Sequence, residues 1–212
     1  MLNTSTQTLQ VQGPAGLIEL AVDQPSTGAP MGVALIAHPH PLFGGSLHNK
    51  VVQTMARAFV QAGWKAVRFN FRGVGKSEGS HDHGHGEVDD WFSVLEHVAP
   101  QGPFAVAGFS FGAYVTAAGL TRLTPSRAPE HIVLVGTAAS RFQVPPIPTP
   151  WHERTLVVHG ETDDTVPLPA VMDWARPQSL PVTVVPGVEH FFHGQLPLLK
   201  GLVLRQLQQH AH

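Results

Sequence analysis

The chain contains no cysteine. Disulfides, thiolate metal sites and a cysteine nucleophile are therefore excluded. Charge is sparse as well: Asp, Glu, Lys and Arg make up 13% of the residues and leave a formal net charge of -2. With no long basic run, that balance gives no support for binding nucleic acid. No apolar run approaches the ~20 residues needed to cross a bilayer. Residues 1–7 are polar and lack the basic-then-apolar build of a signal peptide. The expectation is a cytoplasmic protein with no membrane association.

What is present suits one globular domain spanning residues 1–212, with 42% hydrophobic residues to fill its core. Residues 8–12 and 17–22 alternate in polarity and are split by Gly13-Pro14-Ala15-Gly16, the pattern of an antiparallel hairpin. Residues 32–38 form a nearly unbroken apolar run, as expected of a strand covered on both faces. Leu47, Val51, Met55 and Phe59 then recur every fourth residue, which predicts an amphipathic helix ending at Gly63. The alternation continues, with strands predicted over 64–69, 104–109, 132–135, 156–159 and 182–185. Helices are predicted over 87–98, 113–123, 168–175 and 196–208. Such a series implies an α/β fold, a mostly parallel sheet with helices on both faces. There is no internal repeat. The proline-rich stretch 144–150 is too short for an interdomain linker and reads as a stiff loop.

One turn stands out. Gly108-Phe109-Ser110-Phe111-Gly112 has the Gly-x-Ser-x-Gly form and joins a predicted strand to a predicted helix. A serine on so sharp a turn has its hydroxyl pushed clear of the sheet, and the glycines relieve crowding. The helix that starts there points backbone N–H groups at any developing negative charge. Ser110 is thus a candidate nucleophile. In a parallel sheet, chemistry collects at the carboxyl ends of the strands. Two further strand ends carry matching chemistry: Gly160-Glu161-Thr162-Asp163-Asp164-Thr165-Val166-Pro167, and Pro186-Gly187-Val188-Glu189-His190-Phe191-Phe192. Serine, acid and histidine follow one another in that order.

With these segments, His38-Pro39-His40-Pro41-Leu42-Phe43-Gly44-Gly45 and Asn70-Phe71-Arg72-Gly73-Val74-Gly75-Lys76-Ser77, the chain resembles the serine α/β-hydrolases over nearly its whole length. It looks most similar to small bacterial members without a cap domain, grouped near the dienelactone-hydrolase-like enzymes. True dienelactone hydrolases use a cysteine nucleophile, which this chain lacks, so their substrate does not carry over. The resemblance implies an acyl-transfer triad: Ser110 as nucleophile, His190 as general base and acid, and Asp163 orienting the imidazole. His190 falls three residues after Gly187, where the family places its histidine; His193 is the poorer candidate. Asp163 falls on the family pattern Gly-x-x-Asp-x-x-Val-Pro, with the adjacent Asp164 as alternative. The resemblance also implies two backbone oxyanion donors, the N–H of Phe111 and that of His40, with Leu42 and Phe43 left open as replacements for the second.

Several other features have plain readings. His81, His83 and His85 alternate in a Gly- and Asp-rich segment that reads as a solvated loop before a helix, with no metal and no cofactor expected. Arg72 lies in a glycine-rich segment that lacks phosphate-loop spacing and reads as structural. Only residues 136–155 separate two strands where many relatives insert a cap, so the site is expected to be open. Leu42, Phe43, Phe111, Phe142, Val144 and Trp151 are candidate apolar walls. The implied activity is hydrolysis of small carboxylic esters. A thioesterase or small-amide hydrolase uses the same triad, and a non-catalytic binding protein on the same scaffold is the reading from another class.

Overall fold

The structure, a computed structural model, describes residues 6–124 and 126–209. The first five residues of the polar opening segment lie outside the described residues. Eight strands form one sheet in the order β1-β2-β4-β3-β5-β6-β7-β8. They are β1 (Gln7–Gly13), β2 (Gly16–Asp23), β3 (Val33–Ala37), β4 (Lys65–Phe69), β5 (Phe104–Phe109), β6 (His131–Val135), β7 (Thr155–Gly160) and β8 (Val182–Val185). β1 pairs antiparallel with β2, and β2 antiparallel with β4; every other pairing is parallel. The helices are α1 (Lys50–Gln61), α2 (His85–Val98), α3 (Phe111–Leu120), α4 (Leu168–Ala175) and α5 (Leu196–Gln209).

Successive side chains of a strand point to opposite faces, and here both faces are apolar. Leu35, Val67, Val106 and Ile132 join Trp91 and Leu95 of α2, Val115 and Leu120 of α3, and Val171 of α4. Ile36, Ala66, Ala107 and Val133 join Val51, Met55 and Phe59 of α1 with Leu199 and Val203 of α5. Buried side chains of this size each contribute about 1.5–3 kcal/mol by leaving water. That double burial explains why the central strands read as unbroken apolar runs.

Three helices start away from their predicted first residue, α2 at His85 and not 87. Leu47 is buried but precedes α1, because the Asn49 side chain accepts from the N–H groups of Val51 and Val52 and caps the helix there. α3 starts at Phe111, immediately after Ser110. Among the described residues, no helix is long and apolar enough to cross a membrane.

The strand order reverses between β3 and β5. The chain moves outward from β3 to β4, crosses back to β5, then proceeds to β6, β7 and β8. The crevice beyond the carboxyl ends of strands flanking such a reversal is where α/β sheets place ligands. The loop after β3 and the turn after β5 meet there. Between β6 and β7 the chain forms only a loop and a two-turn 3-10 helix, Thr149–Arg154, and no cap.

Candidate active site

Ser110 sits between β5 and α3 with φ 56° and ψ -114°, a backbone region that a residue with a Cβ rarely adopts. Such a conformation costs about 1–3 kcal/mol and persists only where surroundings enforce it. Here its N–H donates to the Val135 carbonyl at 2.8 Å, tying the turn to β6. The flanking glycines are required by contact: a Cβ on Gly108 would lie 2.3 Å from the Gly112 carbonyl oxygen, and one on Gly112 would lie 2.4 Å from that of Ala37. The sharp turn is possible because both positions are bare.

The structure brings the three predicted side chains together. His190 Nε2 is 3.1 Å from Ser110 Oγ, and His190 Nδ1 is 2.6 Å from Asp163 Oδ2. Asp163 Oδ1 is already occupied, accepting from the N–H groups of Thr165 at 3.0 Å and Val166 at 2.7 Å. The carboxylate is therefore held at a fixed angle, with Oδ2 left for the imidazole. An ionised carboxylate only accepts, so Nδ1 carries the proton and Nε2 presents a lone pair to Ser110. All three residues are buried. Asp164 is exposed and meets only Thr165 Oγ1, at 3.4 Å. His193 is also exposed and pairs with Glu189 Oε1 at 3.0 Å. Burial works against the Glu189 charge, but the N–H groups of His193 and Phe191 hold its carboxyl below the ordinary range.

A fourth side chain belongs to this group, and sequence reading missed it. His159, buried at the end of β7, has Nε2 2.9 Å from the Val166 carbonyl and 3.5 Å from Asp163 Oδ2. Burial lowers its pKa, so it stands as a neutral donor under the carboxylate. A histidine inside an otherwise apolar strand was the available signal.

The backbone donors sort themselves. Within the 3-10 turn Pro41–Phe43, the Leu42 N–H donates to His40 Nδ1 at 3.2 Å and the Phe43 N–H to the His40 carbonyl at 3.1 Å. The amides of His40 and Phe111 have no acceptor among the described residues. His40 lines both pockets that Ser110 lines, and Phe111 follows the serine directly. The loop that holds the first is anchored by His38, whose Nδ1–H donates to the Pro39 carbonyl at 2.6 Å while Nε2 accepts from the Phe71 N–H at 3.0 Å. Burial lowers the His38 pKa to about 4.

Ser110 opens onto a pocket of about 410 Å³. Of the expected apolar walls, Phe43, Phe111 and Phe142 line it, joined by His40, Ala138, Arg141, Thr165 and Val166. Three expected walls are corrected. Leu42 points outward, 67% exposed, and borders neither pocket at Ser110. Val144 and Trp151 are buried in one core cluster with Ile147 and border neither pocket, because their apolar side chains are spent on the core. The aromatic wall is braced from behind, with Tyr114 stacked on Phe142 at 4.6 Å.

The histidine segment is less solvated than expected. His83 and His85 are exposed, but the His81 ring lies 4.9 Å from that of His40 and its Nδ1 is 2.8 Å from Glu87 Oε1. Glu87 is fully buried and also accepts from the N–H groups of Asp82 and Gly84. Burial and the nearby His81 lower the His40 pKa. Among the described residues, no three His, Asp or Glu side chains converge as metal ligands. Arg72 forms a two-point pair with buried Asp90, at 2.9 and 2.8 Å, and fastens the loop after β4 to α2.

A doubly wound sheet with a serine at this turn defines the α/β-hydrolase class. A family model described as Serine aminopeptidase, S33 (Hydrolase_4) matches residues 30–156, and the chain belongs to this family of α/β serine hydrolases. The solved structure of XC6422 from Xanthomonas campestris, a member of the α/β serine hydrolases without lid, is 35% identical with a TM-score of 0.84, and the match covers 99% of this chain and 96% of that one. An α/β serine hydrolase homologue from Coxiella burnetii is 38% identical with a TM-score of 0.80, covering 98% of each chain. An uncharacterized protein of Rickettsia prowazekii (strain Madrid E) is 32% identical over 200 residues, 85% of this chain and 79% of its own.

Proposed function

We propose that this chain is a serine esterase that cleaves small carboxylic esters through an acyl-enzyme. The observation that carries the reading is the continuous chain from Ser110 Oγ through His190 to Asp163, at 3.1 and 2.6 Å, opening onto an apolar pocket. The Ser110 hydroxyl gives its proton to His190 Nε2 as Oγ attacks the ester carbon. Asp163 stabilises the resulting imidazolium and keeps its orientation. The carbonyl oxygen, now negative, is received by the amides of Phe111 and His40, aided by the positive end of α3. His190 then protonates the departing alcohol, and a water activated by the same imidazole releases the acid.

The pockets favour an ester over the aminopeptidase substrate that the family description names. A free α-amino group would call for an acidic partner, and among the described residues no Asp or Glu lines either pocket at Ser110. The test is turnover of p-nitrophenyl acetate, butyrate and octanoate by wild type and Ser110→Ala, alongside a thioester and an amide. Turnover of short esters by wild type alone supports the reading. Equal rates from the two proteins contradict it, and preference for the thioester or amide reassigns the substrate class.

A further inference from the structure

Ser110 opens onto two spaces of unequal size and chemistry. The smaller, about 110 Å³, is lined by His190, Asn49 and Phe191. The larger is lined by Phe43, Phe111, Phe142 and Arg141, and His190 does not border it. The leaving oxygen must lie where His190 Nε2 can protonate it. The alcohol therefore departs on the His190 side, and the acyl group occupies the larger, aromatic pocket.

That pocket holds one formally charged side chain, Arg141. Arg141 is exposed, and its side chain has no ion pair or hydrogen bond among the described residues. Arg68, Arg72, Arg122, Arg127, Arg154 and Arg176 each meet a carboxylate, and Arg57 donates to Gln53 Oε1; Arg205 on α5 is the other arginine without a partner among the described residues, but it borders neither pocket at Ser110. Among the described residues, no acidic side chain lines the pocket to neutralise Arg141. A guanidinium presents paired donors that match a carboxylate. We propose that Arg141 binds a carboxylate at the far end of the acyl group, so that preferred substrates are half-esters of dicarboxylic acids with small alcohols. This rests on the serine-esterase reading above. The methylenes of the diacid lie along Phe43, Phe111 and Phe142. The reaction balances as an ordinary hydrolysis: the Ser110–acyl bond forms as the ester C–O bond breaks, the serine proton passes through His190 to the alcohol, and water returns a proton to Ser110 as the free diacid leaves.

The experiment measures kcat/KM for monomethyl and dimethyl adipate, and for the glutarate pair, in wild type and Arg141→Gln. The ratio of half-ester to diester is the readout. It should fall about three- to tenfold in the variant, the scale of an exposed but two-point ion pair. In wild type it should also shrink as salt is raised to about 0.5 M, where an exposed pair is screened. The 3-acetoxypropanoate anion, with its charge on the alcohol side, should lose no such advantage in the variant. An unchanged ratio overturns the proposal, and an equal loss for 3-acetoxypropanoate overturns the acyl-side assignment. If no ester is turned over, the esterase reading fails separately. Calorimetric titration of adipate into Ser110→Ala, with and without Arg141→Gln, then decides the anion site. Binding weakened about three- to tenfold by loss of Arg141 supports it; equal binding, or none, overturns it.

Discussion

Acid should unfold this protein partly through one residue, His38. Its Nε2 accepts from the Phe71 amide while Nδ1–H donates to the Pro39 carbonyl. Burial penalises the charged ring and lowers its pKa from 6.5 to about 4; protonating Nε2 would also set two N–H groups face to face. The unfolded chain then binds the proton more readily than the folded one. Stability contributed by neutral His38 is fully present above pH 6.5, declines as pH falls, and is gone once pH passes below about 4. Between pH 7.5 and pH 5 the loss works out to about 2 kcal/mol. For m near 2 kcal/mol/M this moves the urea midpoint by roughly 1 M. His159 acts in the same direction, since burial lowers its pKa too, so the measurement must be a difference. His38→Gln keeps an acceptor for the Phe71 amide and gives up the titrating ring. At pH 7.5 it should cost about 1 kcal/mol for the bond to Pro39. Between pH 7.5 and 5 its midpoint should fall less than that of wild type by roughly 1 M. Parallel curves for the two proteins would refute the reasoning.

Two further outcomes follow from the turn and the acid. Ser110→Gly should raise stability by about 1 kcal/mol, and Tm by about 2–4 °C, because glycine adopts φ 56° without strain. Acyl transfer should be lost at the same time; calorimetry showing no gain in Tm would remove the claim of backbone strain. Asp163→Asn should lower kcat by about 10³–10⁴-fold. Its carbonyl must turn to the Thr165 and Val166 amides, which leaves its NH₂ facing His190 Nδ1 and forces the ring proton onto Nε2. Asp164→Asn, at an exposed position, should change kcat less than twofold by the usual scale of surface substitutions. A larger loss in Asp164→Asn would move the acid by one residue.

The strand series and the order of serine, acid and histidine were readable because both depend on local pattern. A strand buried on two faces must be apolar along its length, and a residue just past its end must face the crevice. Leu42, Val144 and Trp151 were misplaced for the opposite reason. Whether a loop aromatic or leucine points into a pocket depends on how the loop folds, and no periodicity reports that. The same holds for Arg141, whose position is set by a turn in which Arg141 and Phe142 donate to the Ala138 carbonyl. The choice of His40 over Leu42 and Phe43 as a free amide became visible only through the 3-10 turn that consumes the other two. His81 looked solvated in sequence because its neighbours are polar, yet buried Glu87 draws it inward.

The central claim is that Ser110 is a nucleophile activated by His190. A fluorophosphonate probe reports this directly, since it bonds only to an activated hydroxyl. After reaction at neutral pH and proteolysis, mass spectrometry should find the adduct on the peptide containing Ser110, and labelling should vanish in Ser110→Ala and in His190→Ala. An adduct on another residue, or none on folded wild-type protein, would contradict the account.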